Sequence, residues 1–140
     1  MAELNPNVDQ SKITILIVDD IPLNVLLIQK MLGKYHYNLL TANDGKAALD
    51  TIASKEVDLV LLDLMMPVMD GYEVIERLRA DEATKDLPIV ILSALNSNDD
   101  VKRGFDLGAN DFITKPIIMD KLLDSIAKQI NAIWEAKSQG

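Results

Sequence analysis

The chain has 140 residues, 49% of them hydrophobic and 26% charged, which suits one compact domain with a sizeable core and leaves little room for a second. Lys and Arg number 14 against 22 Asp and Glu, and the resulting formal charge of −8 argues against direct contact with nucleic-acid phosphates or anionic lipid. With no Cys and a single His, a disulfide framework, a thiolate metal site and a multi-histidine metal site within one chain are excluded.

Residues 1–12 are polar, with Asn5-Pro6 as a turn signal, and read as a flexible arm rather than a secretory signal. The first strand is expected over Ile13–Val18. Pro22 suits the first turn of a helix running to about Leu32, and Gly33 suits its C′ position. Tyr37–Thr41 reads as a second strand, and Asn43 or Asp44 can cap a helix through about Ser54. Val57–Leu62 is a third strand, and Asp70-Gly71 opens a helix to about Ala80. Pro88–Leu92 is a fourth strand, followed by a helix over about Asn98–Leu107 that Gly108 stops. Asp111–Thr114 is a short fifth strand. A last helix is expected over about Ile118–Trp134, because Met119, Leu122, Leu123, Ile126, Ile130 and Ile133 recur at helical spacing. Residues 137–140 read as a flexible tail, so the folded domain is expected over 13–136.

Five strand–helix units in alternation imply a parallel sheet with right-handed crossovers. Strands one, three and four are nearly all apolar, as expected of strands covered on both faces. The expected fold is therefore a three-layer, doubly wound α/β domain. In such sheets ligands bind beyond the carboxyl ends of the strands.

Polar residues stand at that edge. Asp19-Asp20 follow the first strand, Asp63 the third, Ser93 the fourth, and Lys115-Pro116 the fifth. Any one of them alone would read as a cap or a surface turn. Brought together, three carboxylates repel one another unless a cation joins them. Mg²⁺ favours a few oxygen ligands plus water, and the set holds no nitrogen or sulfur ligand that would favour zinc. Ser93 can donate to a phosphoryl oxygen and Lys115 can neutralise one. The set suits phosphoryl transfer, and Asp63, central among the strand ends, is the expected carboxylate nucleophile.

The segments Ile15–Asp20 (ILIVDD), Leu59–Gly71 (LVLLDLMMPVMDG), Pro88–Ala94 (PIVILSA) and Gly108–Pro116 (GANDFITKP) resemble the receiver domain of bacterial two-component response regulators. The likeness spans about Lys12 to Ala136 and implies a flavodoxin-like (βα)5 sheet in the order 2-1-3-4-5. It implies that Asp63 is phosphorylated by a histidine kinase or histidine phosphotransfer protein. It implies that Asp19, Asp20, Asp63 and the Met65 backbone carbonyl hold Mg²⁺, and that Ser93 and Lys115 grip the phosphoryl group. Pro116 is expected after a cis bond, and Ala94 is small, as usual beside the Ser. Phe112 is expected to act with Ser93 as the switch that changes the face formed by the fourth helix, fifth strand and fifth helix; being Phe rather than Tyr, it carries no hydroxyl to that face. The chain then is a signalling phosphoacceptor that catalyses only its own phosphorylation and dephosphorylation, not an enzyme of turnover. It is expected in the cytoplasm, away from membrane and nucleic acid, as a monomer or phosphorylation-promoted dimer. It can be a stand-alone regulator or the receiver portion of a hybrid sensor kinase or larger regulator.

Two other classes stay in view. A Mg²⁺-dependent phosphatase of the haloacid-dehalogenase type would carry Asp-x-Asp after the first strand, whereas the pair here is adjacent. A phosphorylation-independent interaction module would not need Asp19, Asp20, Asp63, Ser93 and Lys115 all intact. His36, Trp134 and the Met65–Met69 loop read as loop, packing and turn residues without a chemical role. Met65 and Leu95 are apolar where a hydrolytic water would approach, so slow autodephosphorylation is expected.

Overall fold

The computed structural model describes residues 2–139. Its elements run β1 (Thr14–Val18), α1 (Pro22–Leu32), β2 (Asn38–Ala42), α2 (Gly45–Ser54), β3 (Leu59–Leu62), α3 (Gly71–Ala80), β4 (Ile89–Ser93), α4 (Asn98–Leu107), β5 (Asp111–Thr114) and α5 (Met119–Gln139). The strands form one parallel sheet in the order β2-β1-β3-β4-β5. The fold is the doubly wound, flavodoxin-like one that the strand–helix alternation and the resemblance lead one to expect.

Side-chain alternation sorts each strand between two cores. Leu16, Val18, Val60, Leu62, Ile89 and Ile91 face the layer of α2, α3 and α4, where Ala48, Tyr72, Val74, Ile75 and Leu78 meet them. Ile15, Ile17, Leu59, Leu61, Val90 and Leu92 face the layer of α1 and α5, closed by Ile28, Leu32, Leu122, Ile126 and Ile130. Both faces are covered, which explains why these strands are apolar throughout rather than alternating.

Local signals set most helix starts. The Asp44, Asp70 and Ser97 side chains accept from the backbone N–H groups of Ala47, Glu73 and Asp100, each three residues on. Pro22 opens α1 without a side-chain cap. Gly108 ends α4 at φ 114°, where its N–H returns to the carbonyls of Gly104 and Phe105.

Some boundaries differ from expectation. Gly33 is not a left-handed C′ residue: its φ is −58°, and it begins a short 3₁₀ turn, Gly33–Tyr35. The left-handed conformation falls instead on His36, at φ 67°, because the chain winds one tighter turn before reversing. Helix α5 runs to Gln139, beyond the Trp134 expected from the apolar spacing, since polar residues continue a helix whose inner face is already anchored. Met1 and Gly140, the ends of the expected arm and tail, lie outside the described residues. The arm itself is docked. Asn131 of α5 donates to the Glu3 carbonyl and accepts from the Asn5 N–H, both at 2.8 Å, and the Ala2 N–H donates to Asp124. Leu4 and Val8 pack against the α1–α5 core, and the Val8 N–H closes the Asn5-Pro6 turn onto the Asn5 carbonyl at 3.0 Å.

Among the described residues no helix is long and apolar enough to cross a membrane.

Candidate functional site

Strand pairing carries the polar residues to one edge. The Asp19 N–H donates to the Ala42 carbonyl of β2, the Asp63 N–H to the Val18 carbonyl of β1, and the Lys115 N–H to the Ser93 carbonyl of β4. Each residue leaves its strand at the same level, so Asp19, Asp20, Asp63, Ser93 and Lys115 meet beyond the carboxyl ends of β1, β3, β4 and β5.

Asp19 and Asp63 are buried, at 2% and 5% exposure, and Ser93 is fully buried. One carboxylate oxygen from each of Asp19, Asp20 and Asp63 lies within 4.8 Å of the others. The Lys115 ammonium stands 3.1 Å from Asp19 Oδ2 and 3.8 Å from Asp63 Oδ2, a pair shielded from solvent on the carboxylate side. The other Asp19 oxygen accepts from the Ile21 N–H at 2.9 Å. Asp20 Oδ1 is buried and has no hydrogen-bond partner. An orphaned buried carboxylate oxygen is costly unless something neutralises it, and three convergent oxygen donors are what a hard cation requires. The residues present therefore fit a divalent metal.

Burial pushes the Asp63 carboxyl above its usual range. Lys115 opposes that rise, and Asp19 adds to it by repulsion. The Met65 N–H reaches toward Asp63 Oδ1 at 3.4 Å, and the Met65 side chain points to solvent. Ser93 Oγ accepts from the Leu95 N–H at 3.2 Å. The Lys115-Pro116 peptide bond is cis. Phe112 is half-buried on the α4 side, packed where a side chain at Gly104 would meet its ring, 3.3 Å from Cδ2.

The loop after Asp63 holds features that sequence reading did not single out. A Cβ at Gly71 would lie 2.5 Å from the Asp63 carbonyl oxygen, so only glycine lets α3 start against the strand end. Val68 is fully exposed at φ 69°, a strained conformation for a β-branched residue. Tyr72, buried in the first turn of α3, donates its hydroxyl to the Asp100 carbonyl of α4 at 3.1 Å. The Arg103 guanidinium lies over its ring, 4.0 Å from the centroid. An aromatic at a helical core position gave no sign of these contacts, which join residues about thirty apart in sequence.

Comparison with known proteins places this arrangement. Residues 15–127 match the family model described as response regulator receiver domain. The chain is 45% identical over 103 residues to the response regulator PleD of Caulobacter vibrioides, covering 74% of this chain and 23% of that protein. It is 42% identical over 109 residues to a probable cyclic di-GMP phosphodiesterase of Vibrio cholerae, covering 78% and 24% respectively. Among solved structures, the receiver domain of a Francisella response regulator superposes with a TM-score of 0.81 at 29% identity, covering 87% of this chain and 99% of that one. The Vibrio cholerae chemotaxis protein CheY4 does so with a TM-score of 0.78 at 28% identity, covering 83% and 97%. The chain belongs to the response regulator receiver domain family of two-component signalling. It spans about a quarter of the length of the two curated relatives named above.

Proposed function

We propose that Asp63 is the phosphoacceptor of this receiver domain. The observation that carries the reading is the buried Asp63 carboxylate, 3.8 Å from the Lys115 ammonium and within 4.8 Å of two further carboxylates. A carboxylate oxygen of Asp63 attacks phosphorus. The bond from phosphorus to the donor breaks, and the leaving group, an imidazole nitrogen or an acetate oxygen, departs with the electron pair. Lys115 and the Ser93 hydroxyl neutralise and orient the transferred oxygens. Asp19, Asp20 and Asp63, with the Met65 carbonyl, would hold Mg²⁺, which supplies charge neutralisation at the phosphoryl oxygens.

A histidine kinase or histidine phosphotransfer protein fits as donor. Ile21, Leu23, Leu26 and Leu27 are exposed at the start of α1, beside the Asp19-Asp20 pair, and a groove of about 290 Å³ runs between Leu27, Met31 and Lys115–Ile117. An apolar patch at the rim of an acidic pocket suits a protein surface that must bring a phosphohistidine to Asp63. The acyl phosphate then draws Ser93 toward it, Phe112 follows, and the face of α4, β5 and α5 shifts between two populations. That face is where an output partner or a second copy would bind. In this reading the chain acts in the cytoplasm, catalyses only its own phosphorylation and dephosphorylation, and binds no nucleic acid directly.

The test is the intact mass after incubation with acetyl phosphate and Mg²⁺. The expected result is a gain of one phosphoryl group that depends on Mg²⁺ and is absent in Asp63→Asn. No adduct from any donor would favour an interaction module. Steady phosphate release without an adduct would favour a phosphatase.

A further inference from the structure

The reading of Asp63 as phosphoacceptor raises a geometric question. Asp63 and Ser93 end neighbouring strands, and a group on Asp63 must be met by the Ser93 hydroxyl within hydrogen-bond reach. Strand pairing between β3 and β4 fixes Val60, Leu61 and Leu62 against Ile89, Val90 and Ile91, and stops short of both functional residues. The Ser93 backbone is held by its pairing with Thr114 of β5, so what remains to be set is the course of the loop after it, whose Leu95 N–H meets the Ser93 hydroxyl.

Two chains of contacts lead away from the pair and meet. On the Asp63 side, the Gly71 N–H donates to the Leu64 carbonyl at 2.9 Å, and the Gly71 backbone abuts the Asp63 carbonyl. Tyr72 is the next residue. On the Ser93 side, the Leu95 N–H holds the Ser93 hydroxyl oxygen, and Ser97 caps α4 through the Asp100 N–H at 3.1 Å. Between these anchors Ala94 and Asn96 are exposed, and only Leu95 packs toward the core. The Tyr72 hydroxyl then closes the ring onto the Asp100 carbonyl at 3.1 Å, with Arg103 capping the aromatic face at 4.0 Å. At neutral pH the phenol keeps its proton and can only donate to a carbonyl.

We propose that Tyr72 is a positioning residue for phosphoryl transfer: its bond to Asp100, seated under Arg103, ties the loop that follows Ser93 to the loop that follows Asp63. The Tyr72 hydroxyl bonds to the Asp100 carbonyl and not to Ser93 or the three carboxylates. It acts by limiting where the Ser93 hydroxyl sits when charge develops on the phosphoryl oxygens, and positioning of such a donor is worth rate.

The experiment is a double-mutant cycle in the whole chain, read as the rate of phosphoryl gain from acetyl phosphate with Mg²⁺. Tyr72→Phe keeps the ring and removes the hydroxyl. It is expected to slow phosphorylation about fivefold, which is ~1 kcal/mol at 1.4 kcal/mol per tenfold. In a Ser93→Ala background the same change is expected to alter the rate by less than about twofold, because the group it positions is gone. Arg103→Leu, at an exposed site that does not threaten folding, is expected to slow the reaction about twofold with the same dependence on Ser93, and Arg103→Lys to restore part of the rate. Equal slowing by Tyr72→Phe in both backgrounds, or no slowing in either, overturns the proposal. If the wild type gains no phosphoryl group while Asp63 and the fold are intact, the phosphoacceptor reading itself fails, and the positioning role falls with it.

Discussion

The apolar bodies of the strands and the residues at their carboxyl ends differ within a single residue step. Val18, Leu62 and Leu92 are aliphatic and 2% exposed or less; Asp19, Asp63 and Ser93, the next residues along, are also buried but polar. The apolar bodies gain stability from contact and hydration. The ends hold charges that the fold must keep apart from water and close to one another, an arrangement with a cost to stability that chemistry repays. The same backbone thus carries two kinds of residue with opposite responses to substitution: along the apolar stretches a change should weaken the fold, and at a buried carboxylate such as Asp63 it should weaken chemistry while leaving the fold intact or firmer.

The largest expected effect lies at an end. Asp63→Asn removes the proposed nucleophile, so phosphoryl gain by intact mass is expected to be lost altogether. The same variant sharpens the comparison thermally. Burial raises the Asp63 carboxyl in the folded protein, so the folded state holds that proton more tightly than the unfolded state. The contribution is favourable at low pH and is lost as pH rises from the ordinary carboxylate range through the raised value. Asp63→Asn is therefore expected to be more stable than wild type at pH 7, with the difference closing as the pH falls into the ordinary carboxylate range in denaturant titrations. At a strand middle, Leu61→Ala is expected to lose roughly 2–5 kcal/mol in the same titrations, with the site residues untouched. A stability gain there, or a loss at Asp63, would break the comparison.

Lys115→Ala tests an end that carries the opposite charge. It leaves the buried Asp19 and Asp63 without the neighbouring ammonium, and phosphorylation is expected to slow about 100-fold, as for loss of a donor at a developing charge. The smallest effect concerns lifetime. Met65 and Leu95 are apolar, and in the proposed reading they flank the approach of water to Asp63, so the phosphorylated chain is expected to lose phosphate slowly. A polar residue such as Asn at position 65 is expected to speed loss about tenfold, followed by the decay of the phosphorylated mass. Rapid loss from wild type would refute this.

The sequence was most informative where a signal is local. Pro22, Asp70 and Gly108 each mark an element boundary by their own backbone chemistry, and the helices at 22–32, 71–80 and 98–107 follow. The polar strand ends were legible because residues after strands share one edge in any doubly wound sheet. Gly33 misled, since a glycine is free to be left-handed but not obliged, and His36 took that conformation instead. Tyr72 and Arg103 were silent because their roles arise only when α3 and α4 lie side by side. The docking of residues 2–8 on α5 was silent for the same reason: Asn131 grips backbone, and backbone leaves no trace in side-chain pattern.

That last contact has an optical consequence. Trp134 is the only tryptophan in the chain, and it lies one helical turn from Asn131 on α5, a spacing that puts both on neighbouring positions of one helix surface. Release of the arm from Asn131 is expected to change the polarity around that surface. The emission of a single native indole therefore offers a readout of arm docking without any label, and a comparison of emission before and after phosphorylation would tell whether events at Asp63 are felt at the far edge of α5.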